Sequence, residues 1–264
     1  VNEPALPPVS EPKEFAGRVV LVTAAAGKGI GEATAARFAA GGATVIVTDR
    51  NEKRTHAVAA ELTDLHRHAT VVGIPLDVAS RESIDAALEQ VLAAHGTVDV
   101  LVNNAAFNVV APIFDYDPAV WDQTVDVNLS GPWYLCRRLM PTMRDHRRGV
   151  VVNVSTYAPD VGGGGIEAPY AITKGGLNVL TRAIAHEGGP YGIRAVTVAM
   201  GVVRGTRFID QHPEILEMPD SKGVLPWTPT AGDIAETIAF LAGDRARCIT
   251  GESINVASGT YMRP

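Results

Sequence analysis

The chain has 264 residues, 46% of them hydrophobic and 20% charged, with a formal net charge of −6. That length is enough for one large core and short for two, and the balance is that of an ordinary globular protein. The acidic surplus speaks against a nucleic-acid binder or an anionic membrane surface as partner, because both call for a basic footprint.

Residues 1–14 come first. They are rich in proline and glutamate, lack the cationic start and apolar run of a signal peptide, and read as a flexible arm before a single domain over 15–264. Short β-branched runs then alternate with longer amphipathic stretches. Strands are predicted at Val19–Thr23, Thr44–Thr48, Thr70–Leu76, Val100–Asn103, Gly149–Ser155, Ile193–Ala199 and Ser253–Val256. Helices are predicted at Ile30–Gly41, Asn51–Leu65, Arg81–Ala94, Ala119–Arg144, Ala168–Glu187 and Asp233–Ala242. Near-continuous apolar strands suit a parallel sheet buried on both faces, and right-handed crossovers then give a Rossmann-like, doubly wound α/β fold. Trp121 and Trp133 are expected in the core side of the long helix, and Arg144 to Arg148 at a solvated helix end. The irregular segment from Val202 to about Pro229 reads as a lid or binding loop. No stretch is long and apolar enough to cross a bilayer, and two cysteines, Cys136 and Cys248, fit a reducing cytoplasm. His66-Arg67-His68 has no companion ligands at metal spacing, so no metal is expected.

Two local patterns carry chemistry. Gly27-Lys28-Gly29-Ile30-Gly31 lies between the first strand and the first helix, where glycines let a pyrophosphate approach helix N–H groups. Asp49 ends the second strand, where a carboxylate accepts hydrogen bonds from a ribose 2′-hydroxyl and repels a 2′-phosphate. This favours NAD; Lys28 and Arg50, either of which can neutralise a phosphate, keep NADP possible. Tyr170-Ala171-Ile172-Thr173-Lys174 puts a phenol and an ammonium on one helix face, four residues apart. A nearby ammonium lowers a phenol's pKa, and such a phenol can give a proton to a carbonyl oxygen or take one from an alcohol.

In this order, the motifs make the chain resemble the short-chain dehydrogenase/reductase family from about Phe15 to the end. The resemblance rests on the glycine loop, Asp77-Val78, Asn103-Asn104-Ala105-Ala106, Asn128 in Val127-Asn128-Leu129-Ser130-Gly131, the Tyr170/Lys174 pair and Ile249-Thr250-Gly251. It implies that Tyr170 is the general acid/base and that Lys174 binds the nicotinamide ribose. It further implies that Asn128 holds a water, that Asp77 and Val78 meet the adenine, and that Asn103, Ala105 and Val203 lie along the cofactor. Asn128 also has a physical argument: Pro132, four residues on, has no N–H for the Asn128 carbonyl, so the helix should bend there.

The chain departs from the family pattern in places. The glycine loop is one residue longer, with Gly27 the candidate first glycine. The carbonyl-polarising hydroxyl falls first on Thr156, then on Ser155, while strict family spacing lands on Tyr157; the extra residue is placed in Gly162 to Gly165. Met200 stands where proline is usual, and Ala257-Ser258-Gly259 where a diglycine turn is usual. The expected activity is hydride transfer between a nicotinamide and a ketone or secondary alcohol of medium size and apolar character. Phe107, Val109, Tyr157, Pro159, Phe208, Met218 and Trp227 are the expected pocket walls. The alternatives are an epimerase or enoyl-type reaction on the same scaffold, or a cofactor-sensing protein without catalysis. The family association implies a homotetramer, with a dimer next.

Overall fold

The computed structural model describes residues 13–211, 213–217 and 222–262. Seven parallel strands form one sheet in the order β3-β2-β1-β4-β5-β6-β7. They are β1 (Val19–Val22), β2 (Thr44–Asp49), β3 (Thr70–Pro75), β4 (Val100–Asn103), β5 (Gly149–Thr156), β6 (Ile193–Met200) and β7 (Ser253–Val256). The helices are α1 (Ile30–Ala40), α2 (Glu52–Leu65), α3 (Arg81–His95), α4 (Pro118–Val125), α5 (Gly131–Asp145), α6 (Ala168–Gly188), α7 (Arg207–Gln211) and α8 (Ala231–Ala242). The strand order reverses between β1 and β4, which pair at Val20↔Val100 through Val22↔Val102. A ligand crevice is expected outside the strand ends at such a reversal.

Alternation along the strands divides the core in two. Val20, Val22, Val45, Val47, Val100 and Val102 pack with Phe38 of α1 and Ile234 of α8. Leu21, Ile46, Leu101 and Val151 pack with Leu88 of α3 and Leu135 of α5. Burying each such side chain is worth about 1.5–3 kcal/mol, so a sheet covered on both faces selects apolar residues at odd and even positions alike. Helix starts follow local chemistry. Asn51 and Ser80 cap α2 and α3 through backbone N–H groups of Arg54 and Ser83, and Thr230 with Asp233 forms a reciprocal capping box on α8.

Three expectations are corrected. The long helix predicted from Ala119 to Arg144 is α4 and α5 joined by a wide π-helical turn, Asp126–Ser130, in which the Gly131 N–H donates to the Asp126 carbonyl. Trp121 and Trp133 are 37% and 44% exposed rather than core residues. The buried stripe of α5 runs through Leu135, Cys136, Leu139 and Met143, and Trp133 lies off it. Arg144 to Arg148 are exposed as expected, and Arg148 is also anchored: its guanidinium donates twice to Asp99 Oδ1 (2.8 and 2.5 Å), and Asp99 Oδ2 accepts from the Val19 N–H at 2.8 Å. A carboxylate only 2% exposed needs that partner, because an unpaired buried charge is costly. Finally, Glu14 is not loose: it is nearly buried and paired with Arg37 (2.7 Å) and Arg245 (3.0 Å). Residues 1–12 lie outside the described residues.

Candidate active site

Most of the anticipated site residues follow the C-terminal ends of the strands, at the crevice beside β1 and β4. No side chain caps the start of α1, so its first N–H groups remain available to an anion. Gly29, at φ 148° and ψ −155°, adopts a backbone conformation open only to glycine. Gly31 is required for another reason: a Cβ there would lie 2.4 Å from the Ala24 carbonyl oxygen and 2.5 Å from Asn104 Nδ2. Gly27, the expected first glycine, meets no such demand, since a Cβ would find nothing within 4 Å. The left-handed residue after β1 is instead Ala24, at φ 50°. The longer loop is therefore taken up between Ala24 and Gly29.

Asn104, the residue after β4, holds this loop. Asn104 Nδ2 donates to the carbonyls of Thr23 (2.9 Å) and Ala24 (3.2 Å). Thr23 Oγ1 accepts from the N–H groups of Asn104 (2.9 Å) and Ala105 (3.0 Å). Asn103 was expected along the cofactor, but its side chain is buried and donates to Asn153 Oδ1 at 2.8 Å. Asp49, Arg50, Asp77, Val78 and Ala105 line one cleft together with Arg54 and Phe107. Asp49 Oδ1 accepts from the Asn51 N–H (2.9 Å) and from Arg54 Nη2 (3.2 Å). Asp77 Oδ1 accepts from the Ala79 N–H at 3.0 Å. Val203 is buried, and its carbonyl accepts from Thr206 Oγ1 at 3.0 Å. Lys28 reaches across to α7, bonding Asp210 at 2.7 Å, while the Arg207 N–H donates to the Lys28 carbonyl at 3.3 Å. The residues present thus fit a dinucleotide: an uncapped helix start for its phosphates, a cleft for its adenosine and a carboxylate at the end of β2 for a ribose.

Tyr170 and Lys174 share a face of α6 as expected. Lys174 is buried; its Nζ lies 5.6 Å from the Tyr170 ring centroid and donates to the Val154 carbonyl at 2.8 Å. Burial brings the ammonium's pKa down to about 8. The phenol does not follow the expectation of a lowered pKa. In the protein alone, burial and, secondly, the Glu167 carboxylate push Tyr170 up. The ammonium is engaged with a carbonyl and does not offset this. Asn128 is fully buried at the π-helical turn: its Oδ1 accepts from the Phe107 N–H (2.8 Å), and its Nδ2 donates to the Phe107 carbonyl (2.8 Å) and Thr173 Oγ1 (3.1 Å). Ser155 Oγ donates to the Lys174 carbonyl at 3.3 Å and is buried. Thr156, at the tip of β5, is partly exposed; its Oγ1 accepts from the Ala158 N–H at 3.4 Å, which leaves its own O–H to donate.

The rim was legible only in part. Tyr157 stacks on Tyr261 from the C-terminal segment, ring centroids 5.5 Å apart. Gly162 to Gly165, at φ 63, 74, 58 and 84°, make a left-handed turn leading into α6. Asn108 Nδ2 donates to Glu167 Oε1 at 2.8 Å, and the Ala111 N–H to the Ile166 carbonyl at 3.0 Å, tying the segment after β4 to the start of α6. Val109, Phe208 and Trp227 are each more than a third exposed; Met218 lies outside the described residues. Sequence reasoning assigned no role to Thr23, Asn104, Glu167 and Tyr261. The doubled asparagine after β4 was the available signal for Asn104; nothing local signals Tyr261. A second cleft at the N-terminal ends of β1, β4, β5 and β6 holds Arg18, Arg148 and Arg194, but these are spent on Asp244, Asp99 and backbone carbonyls near the end of α8.

Comparison with known proteins agrees with this geometry. A family model described as Enoyl-(Acyl carrier protein) reductase matches residues 24–261. The chain is 35% identical over 254 residues to a (5R,7aS)-5-hydroxy-7a-methyl-1-oxo-2,3,5,6,7,7a-hexahydro-1H-indene-carboxyl-CoA reductase of Mycobacterium tuberculosis, covering 93% of this chain and 96% of that one. It is 33% identical to the 3-oxoacyl-[acyl-carrier-protein] reductase FabG of Escherichia coli, covering 94% and 99%. A solved short chain dehydrogenase/reductase family protein superposes with a TM-score of 0.82 at 32% identity, over 94% of this chain and 99% of that one. The chain belongs to the short-chain dehydrogenase/reductase family. It is a nicotinamide-dependent oxidoreductase acting on keto and hydroxy groups.

Proposed function

We propose that Tyr170 is the proton donor and acceptor of this reaction, Thr156 the hydroxyl that steadies the substrate oxygen, and NAD the cofactor. The observation that carries the reading is buried Lys174 lying 5.6 Å from the Tyr170 ring on α6, with buried Asn128 donating to Thr173 between them in sequence. When bound, the nicotinamide supplies or accepts the hydride. The Tyr170 phenol gives its proton to the carbonyl oxygen as negative charge develops there, and the Thr156 O–H donates to the same oxygen. Thr156 is preferred to Ser155 because the Ser155 hydroxyl is committed to the Lys174 carbonyl. Lys174, with Asn128 fixing the turn beside it, returns the proton. Gly29 and Gly31 open the start of α1 to the pyrophosphate, with Lys28 and Ile30 on the same loop.

NAD is favoured because Asp49, nearly buried at the end of β2, presents a carboxylate where a 2′-phosphate would sit. Fluorescence titration with NADH and NADPH tests this, and tighter binding of NADPH would overturn it. The exposed apolar rim supports a medium-sized apolar keto or hydroxy compound, and the thioesters named in the relatives belong in the panel. Tyr170→Phe is expected to abolish turnover while sparing NADH binding; persistent turnover would refute the assignment. Association into a homotetramer or dimer is part of the same reading, supported by Trp121, Trp133, Ile172 and Val179, all exposed on α4, α5 and α6. A cytoplasmic setting is supported by both cysteines being free thiols.

A further inference from the structure

The C-terminal segment comes back to the crevice end of the sheet, where β5 and β6 finish. The Tyr157 N–H donates to the Met200 carbonyl at 3.2 Å, which sets Tyr157 beside Thr156 at those strand ends. The rings of Tyr157 and Tyr261 are nearly parallel, 16° apart with centroids separated by 5.5 Å, a spacing within the range of stacked aromatic pairs. The chain leaving β6 closes on the same place: a Cβ on Gly201 would lie 3.2 Å from Tyr157 Cε1 and 2.9 Å from Thr260 Oγ1.

Tyr261 is not a loose end. Asn255 Nδ2, on β7, donates to its carbonyl. The turn before it has Ser258 at φ 51° and Gly259 at φ 80°, and is tightened by the Thr260 N–H on the Ala257 carbonyl at 2.9 Å. The far end of the connection between β6 and α8 is seated on this turn. The Leu225 N–H donates to the Ser258 carbonyl at 3.0 Å, and a Cβ on Gly223 would lie 2.2 Å from that carbonyl oxygen. A ring held by a stack, a backbone bond and a seated turn has little room to swing aside for a bulky group.

We propose that Tyr261 is a specificity-determining residue: stacked on Tyr157, it walls the substrate side of the crevice next to Thr156 and limits the bulk carried on one side of the keto or hydroxy carbon. The substrate this selects carries a compact group there rather than a ring. The inference rests on the reading of Thr156 and Tyr170 as the groups that face the substrate oxygen.

The test compares kcat/KM for NADH-dependent reduction of ethyl acetoacetate and ethyl benzoylacetate, which place a methyl and a phenyl beside the reacting carbonyl. It is run on the natural chain, Tyr261→Ala and Tyr261→Phe. Where turnover is too slow to rank the esters, their affinities for the NADH complex, read by nicotinamide fluorescence, give the ratio. Tyr261→Ala is expected to raise the preference for the benzoyl ester at least about fivefold, the scale on which a pocket wall discriminates apolar groups. Tyr261→Phe is expected to keep the natural ratio, because it keeps the ring. An unchanged or lowered ratio in Tyr261→Ala overturns the inference, as does an equal shift in Tyr261→Phe, which would assign the effect to the hydroxyl. Gly223→Ala is the second variant: its Cβ displaces the turn while both rings stay in the sequence. It is expected to shift the ratio in the same direction, and a natural ratio there overturns the claim that the turn holds the wall. If the ratio moves in Tyr261→Ala while Tyr170→Phe leaves turnover intact, the failure lies in the acid/base reading of Tyr170 and not in the wall.

Discussion

Lys174 is the costliest side chain of the site to bury. Its ordinary pKa of 10.5 falls to about 8 in the folded chain. Between those values the unfolded chain binds more protons than the folded one, so this residue's contribution to stability rises as pH climbs from about 8 to 10.5 and is lowest below that window. The penalty at neutral pH is on the order of 3 kcal/mol. Lys174→Met is therefore expected to be more stable than the natural chain at pH 7 and to lose most of that advantage by pH 10. Urea midpoints at the two pH values measure it; a variant that is less stable at pH 7 would show that the ammonium's bond to the Val154 carbonyl outweighs its desolvation. Function accepts this cost because an ammonium poised near 8 can pass a proton in either direction.

At the scale of elements, the short helix α7 meets the glycine loop through an exposed ion pair, Lys28 to Asp210, and a long backbone bond, Arg207 to Lys28. Exposed pairs are worth about 0–1 kcal/mol and weaken with salt. Asp210→Asn, or raised ionic strength, is expected to speed tryptic cleavage after Arg207 at least about twofold, consistent with that small energy. Bound dinucleotide should slow cleavage in the natural chain and in Asp210→Asn alike, because its phosphates offer Lys28 another partner. Equal cleavage rates in the natural chain and the variant at low salt would mean that the pair does not restrain α7. The π-helical turn at Asn128 is a firmer device, since Pro132 has no N–H with which to restore regular helix.

Across the whole molecule, the proposed association is tested on the apolar side chains exposed on α4, α5 and α6. Trp133→Arg on the outer face of α5 should shift sedimentation from an oligomer toward monomer while circular dichroism stays native; a natural chain that sediments as a monomer would refute association. Much of the fold could be read before any coordinates, because a sheet covered on both faces leaves unbroken apolar runs such as Val19 to Val22 and Val150 to Val152. Helix caps at Asn51, Ser80 and Thr230 are local features too, although the sequence reading assigned none of them. What escaped reading was decided between distant segments. Trp133 is exposed because of where α5 meets its neighbours, exposed Arg148 pairs with an aspartate 49 residues away, and Asn104 rather than Asn103 clamps the loop after β1. The phenol and ammonium were found from their spacing alone, but their ionisation depended on a carbonyl of β5 and on burial, which no spacing reports.

The left-handed turn from Gly162 to Gly165 gives this protein a segment of reversed chirality directly ahead of α6. A D-amino acid prefers this backbone as an L-amino acid prefers the ordinary one. At Gly164, where an L-side chain's Cβ would meet nothing within 4 Å, the handedness of the backbone is the obstacle to substitution. D-alanine introduced there by chemical ligation should therefore raise the melting temperature by narrowing the unfolded ensemble, while L-alanine at the same place should lower it.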